Sequence, residues 1–497
     1  MSSQRAPRVR RLHSAAAALS LLAPLPACGS ADTRGESDPV VVAASASPAG
    51  LDFTTTAGAA APQALMGNVY ETLVRIDDSG QPQPFLAESW DETASGTEYT
   101  FHLRGDVTFS NGKPFTAQDA AFSILYTRDS WTNGLKSHMA PVANAEAVDD
   151  HTLRVTLSRP SSSWLWSMGT LTGAMMTAES IPRLASDPLG TGPYTVRAFT
   201  PGEAVTFAAR GEYWGDSASH DAVIRYFSDA VTAVNALRAG DVDVVWSMQA
   251  PELLPTLGSD IGVEVGTTNS EVLFSMNNRT APFDDPAVRH AAAYAIDRHA
   301  LNDVVYNGMA TDTGGAPVPP SDPWYTGEDY YPYDPDRARA LLAGRQPEVT
   351  ITVPNLTYAT TASELIFSQL RDVGFRVTLE TVEFPAVWLS KVLKGHDYQA
   401  SLVAHVEPRD IPTLFGNPDY YLGYDSARTR ELLAAAEAGD QAGNMRAAVD
   451  QLMGDGAALT LANAPNIVLL APGVGGVDAD VVTDSLPLAP ITRQEQP

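Results

Sequence analysis

The hexapeptide His405-Val406-Glu407-Pro408-Arg409-Asp410 gathers an imidazole, two carboxylates and a guanidinium into six positions. Such a set can hold a ligand by charge, because a carboxylate accepts from an ammonium group and a guanidinium donates a fork of hydrogen bonds to a carboxylate. His405, Glu407 and Asp410 are also of metal-ligating type, although no spacing enforces a metal site. Covalent chemistry is not provided for. There is no G-x-S-x-G elbow, and the single cysteine, Cys28, lies near the N-terminus. The nine histidines contain no H-x-x-x-H pair. Gly190-Thr191-Gly192-Pro193 is glycine-rich but runs into the strand-like Tyr194–Phe199, so it builds no phosphate cradle at a helix start. An enzyme is therefore not expected, and neither a cofactor nor a resident metal is implied.

The hexapeptide follows a strand-like run, Tyr398 to Val403, and leads into a loop. Two strand–helix–strand units supply the larger frame. The first is Ala222 to Phe227, a helix over about 229–239, then Val242 to Met248, with Gly240 as the stop. The second is Val349 to Val353, a helix over about 361–373, then Phe375 to Val382, with Gly374 as the stop. Glycine just past a helix suits the left-handed position there, and units of this spacing predict parallel pairing. Two of them, far apart in the chain, predict two α/β lobes. Asp285-Pro286, Asp297 and Asp334-Pro335 each predict a helix start, and Thr116 with Asp119 forms a capping-box pattern. Between Gly308 and Asp334 lies a long loop with Trp324 and Tyr325, of the kind that is often functional or mobile.

Composition narrows the classes further. The chain has 497 residues, 32 basic against 59 acidic, and a formal net charge of −27. That acid excess argues against a nucleic-acid binder, which needs a basic face for phosphates. The first 27 residues nevertheless hold four arginines and no acid. Arg5, Arg8, Arg10 and Arg11 precede an apolar run from Ser14 to Leu25, the pattern of an export signal and too short to span a bilayer. Leu25-Pro26-Ala27-Cys28 resembles a bacterial lipobox, with Pro26 a departure from the usual small or aliphatic residue. Cleavage there predicts a lipidated Cys28, a flexible tether over 28–39, and a chain left with 28 basic and 59 acidic residues, a net charge of −31. The chain is then exported and anchored to the outer face of the cytoplasmic membrane, not embedded in it.

Several segments carry a family likeness. They are Val69 to Leu73 (VYETL), Ala87 to Trp90, Tyr99 to Arg104, Val107 to Asp119 (VTFSNGKPFTAQD), Gly190 to Tyr194 (GTGPY), Ala236 to Trp246, Phe283 to Asp297 and Tyr333 to Leu342. On these the chain resembles the family 5 extracellular solute-binding proteins of ABC importers, a group of dipeptide, oligopeptide and nickel binders. The resemblance implies an α/β fold, a two-lobed periplasmic-binding-protein clamshell (type II, large cluster C type) with an extra inserted α+β domain. Lobe I would comprise 40–66, 190–270 and 466–497, the insert 67–189 and lobe II 271–465. It implies capture of a peptide-like or other small solute by hinge closure, and delivery to an ABC permease with its ATPase subunits by a monomer.

In peptide-binding members a carboxylate in the stretch matching the hexapeptide holds the ligand amine. Here Glu407 and Asp410 both qualify, with His405 and Arg409 beside them, and the aromatic-rich family pattern is replaced by His-Val-Glu-Pro-Arg. Other candidates for the cleft are Trp246 at a strand end, Glu271 and Asn277 on the implied hinge crossing, Trp324 and Tyr325 on the long loop, Trp388, Tyr420 and Tyr421. The alternatives are a metal or metallophore (nickel-type) binding lipoprotein, a secreted hydrolase, and a signalling or adhesion lipoprotein that kept the fold.

Overall fold

The computed structural model describes residues 38–494 apart from Ala57. The export signal, Cys28 and most of the tether lie outside the described residues.

Val40–Ala44 is buried at all five positions and lies between two parallel partners, Ala222–Tyr226 and Val244–Val245. A strand covered on both faces reads as a continuous apolar run, without alternation. It sits inside a seven-stranded sheet in the order Gly262–Gly266, Asn466–Leu470, Val244–Val245, Val40–Ala44, Ala222–Tyr226, Ala204–Ala209, Tyr194–Thr200. This corrects the expected pairing of the first strand–helix–strand unit. Its two strands are parallel but do not touch, because Val40–Ala44 is threaded between them. The glycine stop of the helix Ala230–Arg238 holds, Gly240 being left-handed with φ 76°, and the structure adds Asp229 as its cap, accepting from Thr232 N at 2.8 Å.

The second unit pairs as its spacing predicts. Glu348–Pro354 and Arg376–Val382 run parallel over seven residue pairs, joined by the helix Thr357–Val373. They belong to a five-stranded sheet in the order Arg376–Val382, Glu348–Pro354, Ala400–His405, Glu271–Met276, Leu459–Asn463. Helices Pro286–Ala295, Arg298–Tyr306 and Pro335–Leu342 start at Asp285, Asp297 and Asp334, and each aspartate accepts a backbone N–H of the first turn. The long loop after Gly308 is packed, not loose: Val318, Trp324 and Tyr331 are buried in the core of this sheet.

A four-stranded antiparallel sheet, Ala87–Glu92, Glu98–Leu103, Thr152–Leu157 and Val142–Asp149, forms a smaller α+β piece. Alternation sends Tyr99, Phe101, Leu103, Leu153, Val155 and Leu157 inward. The helix Ala117–Ser130 closes over that face. The Asp119 carboxylate accepts from the Thr116 N–H at 3.0 Å and the Thr116 hydroxyl at 2.8 Å, which fixes its start. Each large sheet has its own hydrophobic core, so the molecule is a two-lobed α/β fold with an added α+β piece. No described helix is long and apolar enough to cross a membrane.

Candidate functional site

The site grows from the end of one strand. His405 closes Ala400–His405 and lies opposite Glu271, the first residue of Glu271–Met276. Residues directly opposed in an antiparallel pair share a face. His405 is buried, stacks on Tyr421 at 5.9 Å, and places Nε2 2.8 Å from the Tyr421 hydroxyl. Ser275 meets the same hydroxyl at 2.7 Å. This leaves His405 Nδ1 facing the following loop.

The loop turns through Arg409, which is left-handed at φ 57°, and the helix Ile411–Gly416 begins. Asp410 stands at its N-cap position, yet its side chain makes no capping hydrogen bond. Oδ2 is instead buried without a hydrogen-bond partner, 3.9 Å from His405 Nδ1. The Arg409 guanidinium is sandwiched between Trp166 at 4.4 Å and Trp324 at 4.9 Å. It donates from Nη2 to the Gly80 carbonyl at 2.6 Å, and Nε lies 3.4 Å from Asp322 Oδ1. Arg409 thus ties Trp166 and the turn at Gly80, between the paired strands Val74–Ile76 and Pro82–Pro84, to the long loop.

His405, Arg409 and Asp410 border one cavity and a second adjoins it, the walls of both coming from both lobes. One, of about 350 Å³, is lined by Trp166, His405, Glu407, Asp410, Tyr420 and Asp484 among others. The second, of about 680 Å³, shares Ala59, Val406 and Asp484 with it and adds Trp246 and Tyr358. Glu271 lies behind the first, in a narrow crevice with Asp322, Glu407 and Asp410. Neither Glu271 oxygen has a hydrogen-bond partner, nor does Asp322 Oδ2.

Burial without partners penalises the charged forms. Burial pushes the Glu271 carboxyl well above the usual carboxylate range, and the charges of Asp410 and Asp322 add to it. Asp410 is raised by burial, then by Glu407 and Asp322. Asp322 is pushed up to about 7 by burial, against the pull of Arg409. Asp484 is raised to about 6 by burial, with Glu407 adding. Burial lowers His405 to about 4, opposed by Glu407, and Arg409 to about 10, opposed by Asp322. At neutral pH this corner must hold protons on its carboxyls or accept a cation.

Not every candidate joins it. Asn277 sits at the far end of its strand from Glu271 and staples a turn, donating to the His396 and Tyr398 carbonyls at 3.2 and 3.0 Å. Trp388 is buried in the core, with Nε1 3.0 Å from Ser401 Oγ. Tyr421 is fully buried and positions His405 instead of walling a cavity, whereas its neighbour Tyr420 does line one. Trp324 serves as one face of the Arg409 sandwich, and Tyr325 packs half-buried against the same core. Trp246 lines the larger cavity. Sequence reasoning missed Asp322, Asp484, Trp166 and Gly80. All are distant in the chain from the hexapeptide, and the one local hint was Asp322 beside Trp324 in the proline-rich loop.

The chain matches the family described as bacterial extracellular solute-binding proteins, family 5 Middle, over residues 81–412. Heme-binding protein A of Haemophilus influenzae is 30% identical over 362 residues, 64% of this chain and 65% of that protein. This chain therefore spans just under two thirds of that relative. Di/tripeptide-binding protein 2 of Pseudomonas aeruginosa is 28% identical over 69% of this chain and 70% of its own length. Among solved structures, the ABC transporter-associated periplasmic binding protein DppA of Helicobacter pylori, in complex with peptide STSA, has a TM-score of 0.75 at 23% identity. That likeness covers 92% of this chain and 98% of that one, and it bears on the fold. The chain belongs to the bacterial extracellular solute-binding proteins of family 5.

Proposed function

We propose that this protein is the substrate-binding component of an ABC importer, which captures a peptide-like or other small solute between its lobes and passes it to a permease. One observation carries the reading: a cavity between the lobes bordered by buried carboxylates, Asp410 with Glu271 behind it, that lack partners within the protein. A ligand amine supplies the missing positive charge. Glu407 and Asp410 take that amine, Tyr420 and Trp166 wall the cavity, and Trp246 walls the second one. Arg409 acts as a clamp that shapes the site, since its guanidinium lies over two indoles, donates to Gly80 and is opposed by Asp322. The family consists of binding proteins, and no bond need be broken. Lipidation at Cys28 after export would hold the protein at the outer face of the cytoplasmic membrane.

Mass spectrometry of the natively purified protein should reveal a retained small solute. A thermal-shift screen should show stabilisation of ~2.7 kcal/mol at a hundredfold excess over Kd. A broad screen of peptides, opines, metal chelates and sugars that leaves the melt unmoved would sink the reading.

Metal capture is the second reading. It rests on His405, Glu407 and Asp410, whose ligating atoms lie within 4.8 Å of one another. Calorimetry with Ni²⁺ decides it: saturable binding lost in His405→Gln supports a metal, and a flat titration removes it.

A further inference from the structure

The reading above leaves the ligand's own charge open, and the linings of the two cavities constrain it. Glu407 and Asp410 border the first cavity, with the unpartnered Glu271 behind them. Asp484 borders both cavities, and Glu252 borders the second. Against these acids, Arg409 is the one Lys or Arg on either lining among the described residues. Its guanidinium is stacked between two indoles, bonded to the Gly80 carbonyl and set against Asp322. His405 has one ring nitrogen bonded to Tyr421. A carboxylate entering either cavity would lose its water and face several like charges, and the one guanidinium on the lining, although its Nε lacks a hydrogen-bond partner, is already opposed by Asp322 at 3.4 Å. A second positive centre would find Asp484, and the aromatic face of Tyr420 also favours a cation.

We propose that the site selects organic dications, solutes with two ammonium or guanidinium centres, one held by Glu407 and Asp410 with Glu271 behind, the other by Asp484. This rests on the capture reading and narrows its substrate class. Two sources share the chemistry: a free diamine, and a short peptide that begins with a basic residue and has its C-terminus blocked as an amide, so that it carries no carboxylate.

The test is calorimetric titration of the purified protein with 1,4-diaminobutane and the C-terminal amides of the dipeptides Lys-Ala, Ala-Ala and Asp-Ala. The diamine, Lys-Ala or both should bind at least ~10-fold tighter than Ala-Ala, with Asp-Ala weakest. Which of the first two binds identifies the source. Asp484→Asn should weaken the dication about 10-fold, and so should Glu407→Gln on the exposed rim, with cooperative melting curves no lower than the parent's showing that both variants fold. Ala-Ala or Asp-Ala binding as tightly as the dications overturns the charge inference and leaves capture standing. Binding by none of the four also overturns it, and the broad thermal-shift screen then decides separately whether capture survives.

Discussion

Glu271, Asp322 and Asp410 are three buried carboxyls of one crevice, with the Arg409 guanidinium against Asp322, and their protons couple stability to pH. Their folded-state values are raised above the unfolded ones. Each therefore contributes stability that is complete below about pH 4 and lost as pH rises through its folded value, near 7 for Asp322. His405 acts in the opposite sense. Its folded value of about 4 lies below the ordinary one, so its share is present above about pH 6.5 and lost as pH falls toward 4. Between pH 6.5 and 8 the carboxyls dominate. The ligand-free protein should lose up to about 1.4 kcal/mol per pH unit for each proton it still retains. Thermal melts across that range should show a shallower slope for Glu271→Gln and a more stable variant at pH 8. An unchanged slope would mean that Glu271 ionises freely in the fold. The clamp is tested separately. Arg409→Lys keeps the charge but loses the planar fork and the double stacking, and should cost about 1–3 kcal/mol in a urea titration. An unchanged midpoint would show that the guanidinium clamps nothing.

Among the elements, the GTGPY segment shows how a motif acts through packing. A Cβ on Gly190 would strike the Val69 carbonyl, and one on Gly192 would strike the backbone of Asn68. The two chains cross in backbone contact, which places Thr191 where its hydroxyl donates to the buried Glu71 at 2.7 Å. Tyr213 and Trp214 donate to the same carboxylate at 2.6 and 3.0 Å. VYETL and GTGPY, separate sequence signals, thus meet as one joint. Gly190→Ala should cost more than about 3 kcal/mol, or abolish soluble expression, because backbone cannot yield as a side-chain tip can. Circular dichroism melts check this, and a drop below about 1 kcal/mol would show that the crossing relaxes.

Across the whole molecule, the α+β piece and the lobe built on the five-stranded sheet are joined directly. Ser161 and Ser163 hydroxyls both donate to the Glu437 carboxylate, the latter at 2.9 Å. Ser162 Oγ donates to the Ala436 carbonyl at 2.7 Å, and Arg409 reaches the Gly80 carbonyl. These bonds hold the observed arrangement of the two parts, and a ligand's apparent affinity falls with the population of the competent state. Glu437→Ala should weaken binding about 3- to 10-fold, mainly through faster dissociation, because two hydrogen bonds of about 1 kcal/mol are removed. Surface plasmon resonance reads the rate. An unaltered off-rate would separate these contacts from closure.

The sequence by itself determined the local features: the aspartate caps at 285, 297 and 334, the left-handed glycines 240 and 374, the parallel pairing around 357–373, and the charged hexapeptide. Each depends on neighbours within a few residues, where backbone geometry and hydrogen-bonding capacity act directly. The family likeness rested on equally contiguous blocks. Tertiary structure decided what those rules cannot reach. Val40–Ala44 entered between the strands of the first unit because a fully apolar strand is best buried at a sheet's centre. Arg409 became a clamp because Trp166, Gly80 and Asp322 arrive from three distant segments. Asn277, Trp388 and Tyr421 left the cleft because strand direction and packing turned them into turns and core. Above all, the shortage of free cations around the cavities is a property of residues assembled from across the chain. Desolvation and charge pairing depend on what surrounds a group in space, and this is fixed only once the lobes have packed.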